Sequence, residues 1–188
     1  HASALPSEVA NDFDYVIVGE GETAIVNLIN NILENKNCER VIYGNPILNI
    51  DNIDFPDYNL IDLNKYTRKV NGIKSVSILT SRGCPYKCEF CNSTLLKKDI
   101  SIRFRSAQNV VDEILSIHNK YGITAFRIQD DIFSINKARL KEIAYKLKDY
   151  NLSFRCFSRI DNIDSEVLDL FKQIGITHIS FGLESGSQ

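Results

Sequence analysis

The stretch that organises this chain joins a short apolar run to three closely spaced cysteines. It reads Ser75-Val76-Ser77-Ile78-Leu79-Thr80-Ser81-Arg82-Gly83-Cys84-Pro85-Tyr86-Lys87-Cys88-Glu89-Phe90-Cys91. The run up to Thr80 has the β-branched, apolar character of a strand. Gly83 and Pro85 indicate a tight loop directly behind it. The sequence therefore places a CxxxCxxC motif at the end of a predicted strand.

Downstream of this loop, predicted helices and strands alternate without exception. They are a helix between an N-cap at Ser106 and a stop at Gly122, a strand over 123–128, a helix around 140–147, a strand over 152–160, a helix around 167–174 with a stop at Gly175, and a strand over 178–183. Such alternation predicts an α/β fold with a parallel sheet and right-handed crossovers, either open or closing into a barrel.

Upstream of the loop lies half of a second α/β unit. A strand over 14–18 runs into Gly19-Glu20-Gly21-Glu22, and a helical pattern follows to Leu33. Residues 41–72 show no sustained period, and their prolines and apolar residues indicate an ordered linker. We therefore expect one domain over 1–40, a linker over 41–72 and another domain over 73–188.

Composition excludes several classes of protein. The 188 residues are 44% hydrophobic and 24% charged, with a net charge of −2, which argues against disorder and against charge-driven nucleic-acid binding. No apolar run reaches the roughly 18 residues that a membrane span needs. The chain contains no methionine, begins His1-Ala2-Ser3 and stops at Gln188 after a strand. We therefore expect it to be a piece of a longer, cytoplasmic protein.

Three thiolates in one short loop are candidates for a metal centre. Structural zinc takes four ligands and an electron-transfer iron–sulfur cube takes four thiolates, so three cysteines leave one iron open for chemistry. Two alternatives stay open. One is a zinc knuckle completed by Cys38, Cys156 or His118, and the other is three cysteines without a metal. Taken singly, Cys38 and Cys156 are more often core residues.

The loop resembles that of the radical S-adenosylmethionine (SAM) superfamily, in particular its cobalamin-binding branch of methyltransferases and anaerobic porphyrin cyclases. The resemblance rests on Thr80-Ser81-Arg82-Gly83-Cys84-Pro85 and on Phe90 before the last cysteine. It implies a partial (β/α) TIM-like barrel preceded by the end of a Rossmann-like cobalamin-binding domain. Segments 1–6 and 18–22 are similar to the loops near the corrin.

The same resemblance implies the cofactors and their ligands. Cys84, Cys88 and Cys91 would hold a [4Fe–4S] cluster that cleaves SAM reductively to a 5′-deoxyadenosyl radical, and Phe90 would lie against the adenine. Cobalamin is a further expected cofactor, and flavodoxin or ferredoxin the expected electron donor. The substrate would be a small molecule or peptide, and neither nucleic acid nor a membrane is an expected partner.

Polar residues at the ends of the predicted strands are the other candidates for SAM contacts. Asp130 and Asp131 follow one strand, Arg159 the next, and Glu184 with Ser185 the last. The resemblance assigns the first pair to the SAM amino group, although many relatives have Gly-Gly-Glu there, and assigns Glu184 and Ser185 to the ribose. The alternative is a turn or cap role, above all for Asp130 and Ser185.

The remaining alternatives concern the basic stretch and the function as a whole. Arg103 and Arg105 flank Phe104, and too few charges cluster there for nucleic acid, so a structural ion pair or a wall of the site is expected.

A methylthiotransferase would share the cysteine loop but needs further cluster cysteines and an RNA-binding domain. A non-catalytic zinc or iron–sulfur module is the alternative from another class.

Overall fold

The computed structural model describes residues 2–91 and 102–186. The chain divides into two compact units, one formed by 1–48 with 85–100 and the other by 49–84 with 101–188. The assignment of 1–40 to a cobalamin-binding domain, with a linker over 41–72, stays a prediction. Within the described residues no helix has the length and apolar character to cross a bilayer.

The first unit contains a strand–helix–strand motif. Its elements are α1 (Pro6–Val9), β1 (Val16–Gly19), α2 (Glu22–Leu33) and β2 (Val41–Gly44). β1 and β2 pair in parallel, so the predicted strand, turn and helix are present. β2 lies where no regular structure was expected, because a four-residue strand is too short to show a period and is stabilised by its distant partner.

The second unit is built on a five-stranded sheet in the order β3-β4-β7-β8-β9. Its elements are β3 (Lys69–Val70), β4 (Ile73–Ile78), β5 (Ser81–Arg82), β6 (Arg103–Phe104), α3 (Ala107–Tyr121), β7 (Ala125–Ile128), α4 (Lys137–Leu147), β8 (Ser153–Ser158), α5 (Ser165–Ile174) and β9 (Ile176–Phe181). β4, β7, β8 and β9 are parallel neighbours, and β3 is antiparallel to β4. The predicted α/β class with a partial barrel is confirmed.

The ends of the helices follow the predicted signals. The Ser106 hydroxyl accepts a hydrogen bond from the Asn109 amide at 3.1 Å, which caps α3. Gly122 and Gly175 both adopt a left-handed conformation directly after α3 and α5. These residues turn the chain back toward the sheet, which lets each helix lead into the next parallel strand.

The core lies between the sheet and its three long helices. Alternate residues of the central strands face the helices, and Phe126 of β7 stacks on Phe154 of β8 with ring centroids 5.5 Å apart. Phe133 and Phe171 form a second stacked pair. All four rings are at most 2% exposed. The strand residues between these positions, including Arg127 and Arg155, lie on the opposite face of the sheet.

The two left-handed glycines offer a matched test of this packing. A Cβ atom at Gly175 would lie 2.1 Å from the Leu152 carbonyl oxygen, whereas one at Gly122 would meet no atom within 4 Å. We expect Gly122→Ala to lower the free energy of unfolding by about 1 kcal/mol, the backbone cost alone. Gly175→Ala should cost about 3 kcal/mol because the strand must also shift. Equal losses in urea denaturation would show that the turn at Gly175 does not lie close to the Leu152 carbonyl.

Candidate functional site

The candidate site lies at the carboxyl edge of the parallel sheet. The four parallel strands end at the same edge, which is where ligands bind in such folds. The chain reaches the cysteine loop after β4, Asp130 and Asp131 after β7, Arg159 after β8 and Glu184 after β9. The structure therefore places the second unit's predicted site residues along one edge, in the order of the strands.

Asp130 is buried and connects the ends of two strands. Its side chain is 1% exposed. It accepts hydrogen bonds from the Thr80 amide at 2.6 Å, the Thr80 hydroxyl at 2.5 Å and the Ser81 hydroxyl at 2.6 Å. Burial raises the pKa of Asp130, while the bonds from Ser81 and Thr80 and the charge of Arg139 oppose that rise. This carboxylate fixes the chain just before the cysteine loop.

Arg139 of α4 supports the same segment from the other side. Its guanidinium donates to the Thr80 carbonyl at 2.8 Å and to the Arg105 carbonyl at 2.6 Å. The Arg105 amide in turn donates to the Thr80 carbonyl at 3.0 Å. Arg139 is only 7% exposed and lies over the Phe104 ring. Thr80 is therefore held at its amide, hydroxyl and carbonyl groups, and the sequence reading did not identify Arg139.

Arg105 forms the structural ion pair expected for this stretch. Its guanidinium pairs with the carboxylate of Glu113, which is 3% exposed, and also donates to the Leu79 carbonyl at 2.9 Å. The Arg105 guanidinium lies 5.3 Å from the centre of the Phe55 ring. Its charge is compensated within the unit, so the structure supports the ion-pair interpretation.

The cysteine loop carries three thiol side chains. Cys84, Cys88 and Cys91 are all half-buried and none forms a disulfide. Gly83 has a φ of +95°, which turns the chain out of the short strand β5, and the Cys91 amide donates to the Cys88 carbonyl at 3.0 Å. Among the residues that the structure describes, no three Cys, His, Asp or Glu side chains are gathered at metal-binding distance.

The donor chemistry of the loop nevertheless suits an iron–sulfur cluster. Thiolate ligands require cysteines that are not held in disulfides, and all three loop cysteines meet that requirement. Their ligand role stays a prediction.

The other candidate zinc ligands have separate structural environments. Cys156 is fully buried among the core residues, and burial together with the charge of Asp130 raises its pKa to about 12. The His118 ring nitrogen lies 2.9 Å from the Ile123 carbonyl, and the Cys38 thiol faces the Lys36 carbonyl at 3.6 Å. The interpretation of Cys156 as a core residue is confirmed.

The remaining predicted cofactor contacts lie on accessible positions. Asp131 and Ser185 are exposed, and the Phe90 ring is 72% exposed. The Arg159 Nε and Nη2 groups donate to the Asp161 carboxylate at 3.0 Å and 2.7 Å, and this lowers the pKa of Asp161. The cofactor roles of these residues stay predictions.

Glu184 has the most unusual backbone at this edge. It is exposed and has a φ of +57°, a left-handed conformation that is uncommon outside glycine and concentrates at functional sites. Its carboxylate folds back toward the chain, so that a Cβ atom at Gly182 would lie 2.7 Å from it. The chain therefore turns sharply here and presents a carboxylate beyond β9.

Residues 78–188 match the model of the radical SAM superfamily, and the chain belongs to that family. It is 31% identical over 192 residues to an uncharacterized methyltransferase of Pyrococcus horikoshii, covering 93% of this chain and 41% of the relative. It is 28% identical over 215 residues to the anaerobic magnesium-protoporphyrin IX monomethyl ester cyclase of Cereibacter sphaeroides, covering 100% of this chain and 34% of the cyclase.

The solved structures of the radical SAM methyltransferase TsrM from Kitasatospora setae have the same fold. The form with tryptophan and a SAM analogue matches with a TM-score of 0.68 at 22% identity, over 97% of this chain and 40% of TsrM. The form with cobalamin and a [4Fe–4S] cluster matches with a TM-score of 0.51 at 26% identity, over 60% of this chain and 23% of TsrM. The chain thus spans less than half the length of these proteins.

The role of Asp130 can be tested through the free energy of unfolding. Asp130→Ala leaves one amide and two hydroxyls without their acceptor and removes the larger of the two negative charges that act on Arg139, so we expect a loss of about 3–5 kcal/mol. Asp130→Asn keeps an acceptor for the Thr80 amide and should cost less. Asp131→Ala, at the exposed neighbour, should change stability by less than about 0.5 kcal/mol. Similar losses for the two alanine variants would contradict an anchoring role.

Proposed function

We propose that this protein is a radical SAM enzyme in which Cys84, Cys88 and Cys91 hold a [4Fe–4S] cluster. The observation that carries the proposal is the run of three cysteines outside disulfides that follows the carboxyl end of β4 along the chain. Family membership over 78–188, which includes this loop, supports it. Because only three cysteines are present in the loop, one iron is left for a ligand other than protein.

The cluster would supply one electron for reductive cleavage of SAM to a 5′-deoxyadenosyl radical. The chain's own part is to ligate the cluster, orient SAM and shield the reaction. Asp130 and Arg139 hold Thr80 through its amide, hydroxyl and carbonyl groups. The loop therefore starts from a rigid point, and fixed ligand positions are what a catalytic metal site requires.

SAM would lie along the carboxyl edge. The exposed carboxylate of Glu184 is a suitable acceptor for ribose hydroxyls. Asp131 offers a negative charge for the ammonium group of the methionine part, and Arg159 would bind its carboxylate in place of, or together with, Asp161. The exposed ring of Phe90 is available to stack on the adenine.

The overall reaction is proposed to be methyl transfer or cyclisation with cobalamin as a second cofactor. The relatives named above are a methyltransferase and a cyclase, and TsrM binds cobalamin. The strand–helix–strand motif of the first unit, with its Gly19–Glu22 turn, fits the end of a cobalamin-binding domain. Flavodoxin or ferredoxin would supply the electron, and a reducing cytoplasm would keep the thiols reduced.

Iron uptake tests the ligand set. Full-length protein carrying Cys88→Ala should fail to assemble the cluster on anaerobic reconstitution with iron and sulfide, because two thiolates remain in the loop. Cys38→Ser is the matched control, since Cys38 is also half-buried but lies outside the motif. Iron and sulfide analysis with visible absorption is the measurement. Full iron content in Cys88→Ala, or stoichiometric zinc and no iron in the wild type, would contradict the proposal.

The affinity for SAM tests the assignment of Glu184. Glu184→Ala in the reconstituted full-length protein should weaken SAM binding by about 1–3 kcal/mol, the cost of losing hydrogen bonds to a polar ligand. Equilibrium binding of SAM to each variant gives the difference. Glu142→Ala removes another exposed glutamate, on α4, and should leave the affinity unchanged. An unchanged dissociation constant for Glu184→Ala would remove this residue from the site.

A further inference from the structure

Two arginines lie in the middle of the sheet on the face that the helices do not cover. In β7 the side chains of Phe126 and Ile128 are buried against the helices, and in β8 those of Phe154 and Cys156 are. Successive side chains of a strand point to opposite faces. Arg127 lies between Phe126 and Ile128 in the sequence, and Arg155 lies between Phe154 and Cys156. Both arginines therefore project from the other face, where they are half-buried.

The strand register makes these arginines direct neighbours. Arg127 is opposite Arg155, and Arg155 is opposite His178 of β9. Neighbouring strands are roughly 4.8 Å apart, so the side chains of Arg127, Arg155 and His178, here called the basic row, stand side by side. Ser77 of β4 continues the row on the other side of Arg127.

The arginines of the basic row have no countercharge in the described part of the chain. There, neither Arg127 nor Arg155 forms an ion pair, whereas Arg105 pairs with Glu113 and Arg159 with Asp161. Arg155 instead has neutral partners. It donates to the Ser180 hydroxyl at 3.0 Å and lies 5.6 Å from the centre of the Phe157 ring.

The surroundings of Arg127 disfavour its positive charge. Burial lowers the pKa of Arg127, and the positive charges of Arg68 and Arg155 lower it further. Like charges directly opposite on neighbouring strands destabilise a sheet. An anion between the two guanidinium groups would replace their mutual repulsion with attraction to the anion. The planar, five-donor guanidinium group matches the geometry of carboxylate and phosphate oxygens.

Further donors surround the row. The Gln129 side-chain amide, two residues nearer the carboxyl edge than Arg127, donates to the Ser77 hydroxyl at 3.1 Å. The Ser180 hydroxyl stands beside Arg155. Together these groups offer neutral and charged hydrogen-bond donors on one open face, directly below the edge where the SAM contacts are proposed.

We propose that the basic row binds an oxyanion of the substrate, a carboxylate or a phosphoryl group. The row would fix one end of the substrate in the middle of the sheet and leave its reacting part at the carboxyl edge. This inference rests on the proposed function in taking the anion to belong to a substrate.

The first measurement uses the full-length protein, with inorganic phosphate and succinate as probes at matched ionic strength. Phenylglyoxal modifies accessible arginines, and peptide mass spectrometry reports the modification rate of Arg127 and Arg155 separately. We expect an anion to slow both rates at least fivefold and to raise the melting temperature. Protection by phosphate alone assigns a phosphoryl group, and protection by succinate alone assigns a carboxylate.

Variants separate a binding role from a structural one. Arg127→Gln and Arg155→Gln should abolish the rise in melting temperature with anion. Without anion they should be at least as stable as the wild type, because the repulsion between the arginines is removed. Lys172→Gln removes a charge from an exposed position on α5 and should retain the full response.

The opposite outcome would show that the protein's own acidic side chains bind the basic row. In that case both glutamine variants lose stability without anion and neither probe protects the arginines, which overturns the proposal. The protection is measured on iron-loaded and iron-free protein. Absence of iron uptake counts against the proposed function, whereas absence of protection in both forms counts against this inference, so the two failures are distinguishable.

Discussion

The buried carboxylate of Asp130 is the constraint on which the site depends. It joins the end of β7 to the end of β4 through three short hydrogen bonds to Thr80 and Ser81. A carboxylate at 1% exposure is stable only with such partners. The cysteine loop therefore begins from a point fixed by the neighbouring strand, and α4 adds a second support through Arg139.

Polar groups in the second unit fall into two kinds. The charges of Asp130 and Arg105 are compensated within the chain. Asp130 accepts hydrogen bonds from Thr80 and Ser81, and Arg105 pairs with Glu113. Those on the open face of the sheet, Arg127 and Arg155, have no carboxylate partner in the described residues. Buried polar groups of the first kind specify the position of the chain, whereas cations of the second kind, which lack a carboxylate partner, suit a site for an anionic ligand.

Local signals predicted much of the fold. The cap at Ser106 and the left-handed glycines at 122 and 175 are properties of a few adjacent residues, so the sequence was sufficient to place α3 and α5. β2 and the pairing of β5 with β6 were not predicted. These strands are four and two residues long, and their stability comes from partners distant in the sequence, which no local period reveals.

The same limit applies to the site. The spacing of the three cysteines is local and was recognised, whereas adjacent aspartates look alike in sequence although Asp130 is buried and Asp131 is exposed. Arg139 stands among the lysines of α4 and gave no signal of burial. The row of Arg127 and Arg155 depends on the register of two strands, which the sequence alone does not specify.

The most direct test of the central claim is Mössbauer spectroscopy of the full-length protein, reconstituted anaerobically with isotopically enriched iron, with and without SAM. Three cysteine ligands and one open iron predict a [4Fe–4S] spectrum in which a single iron site changes when SAM is added. A spectrum that SAM does not alter, or a protein that takes up zinc and no iron, would contradict the assignment of the cysteine loop.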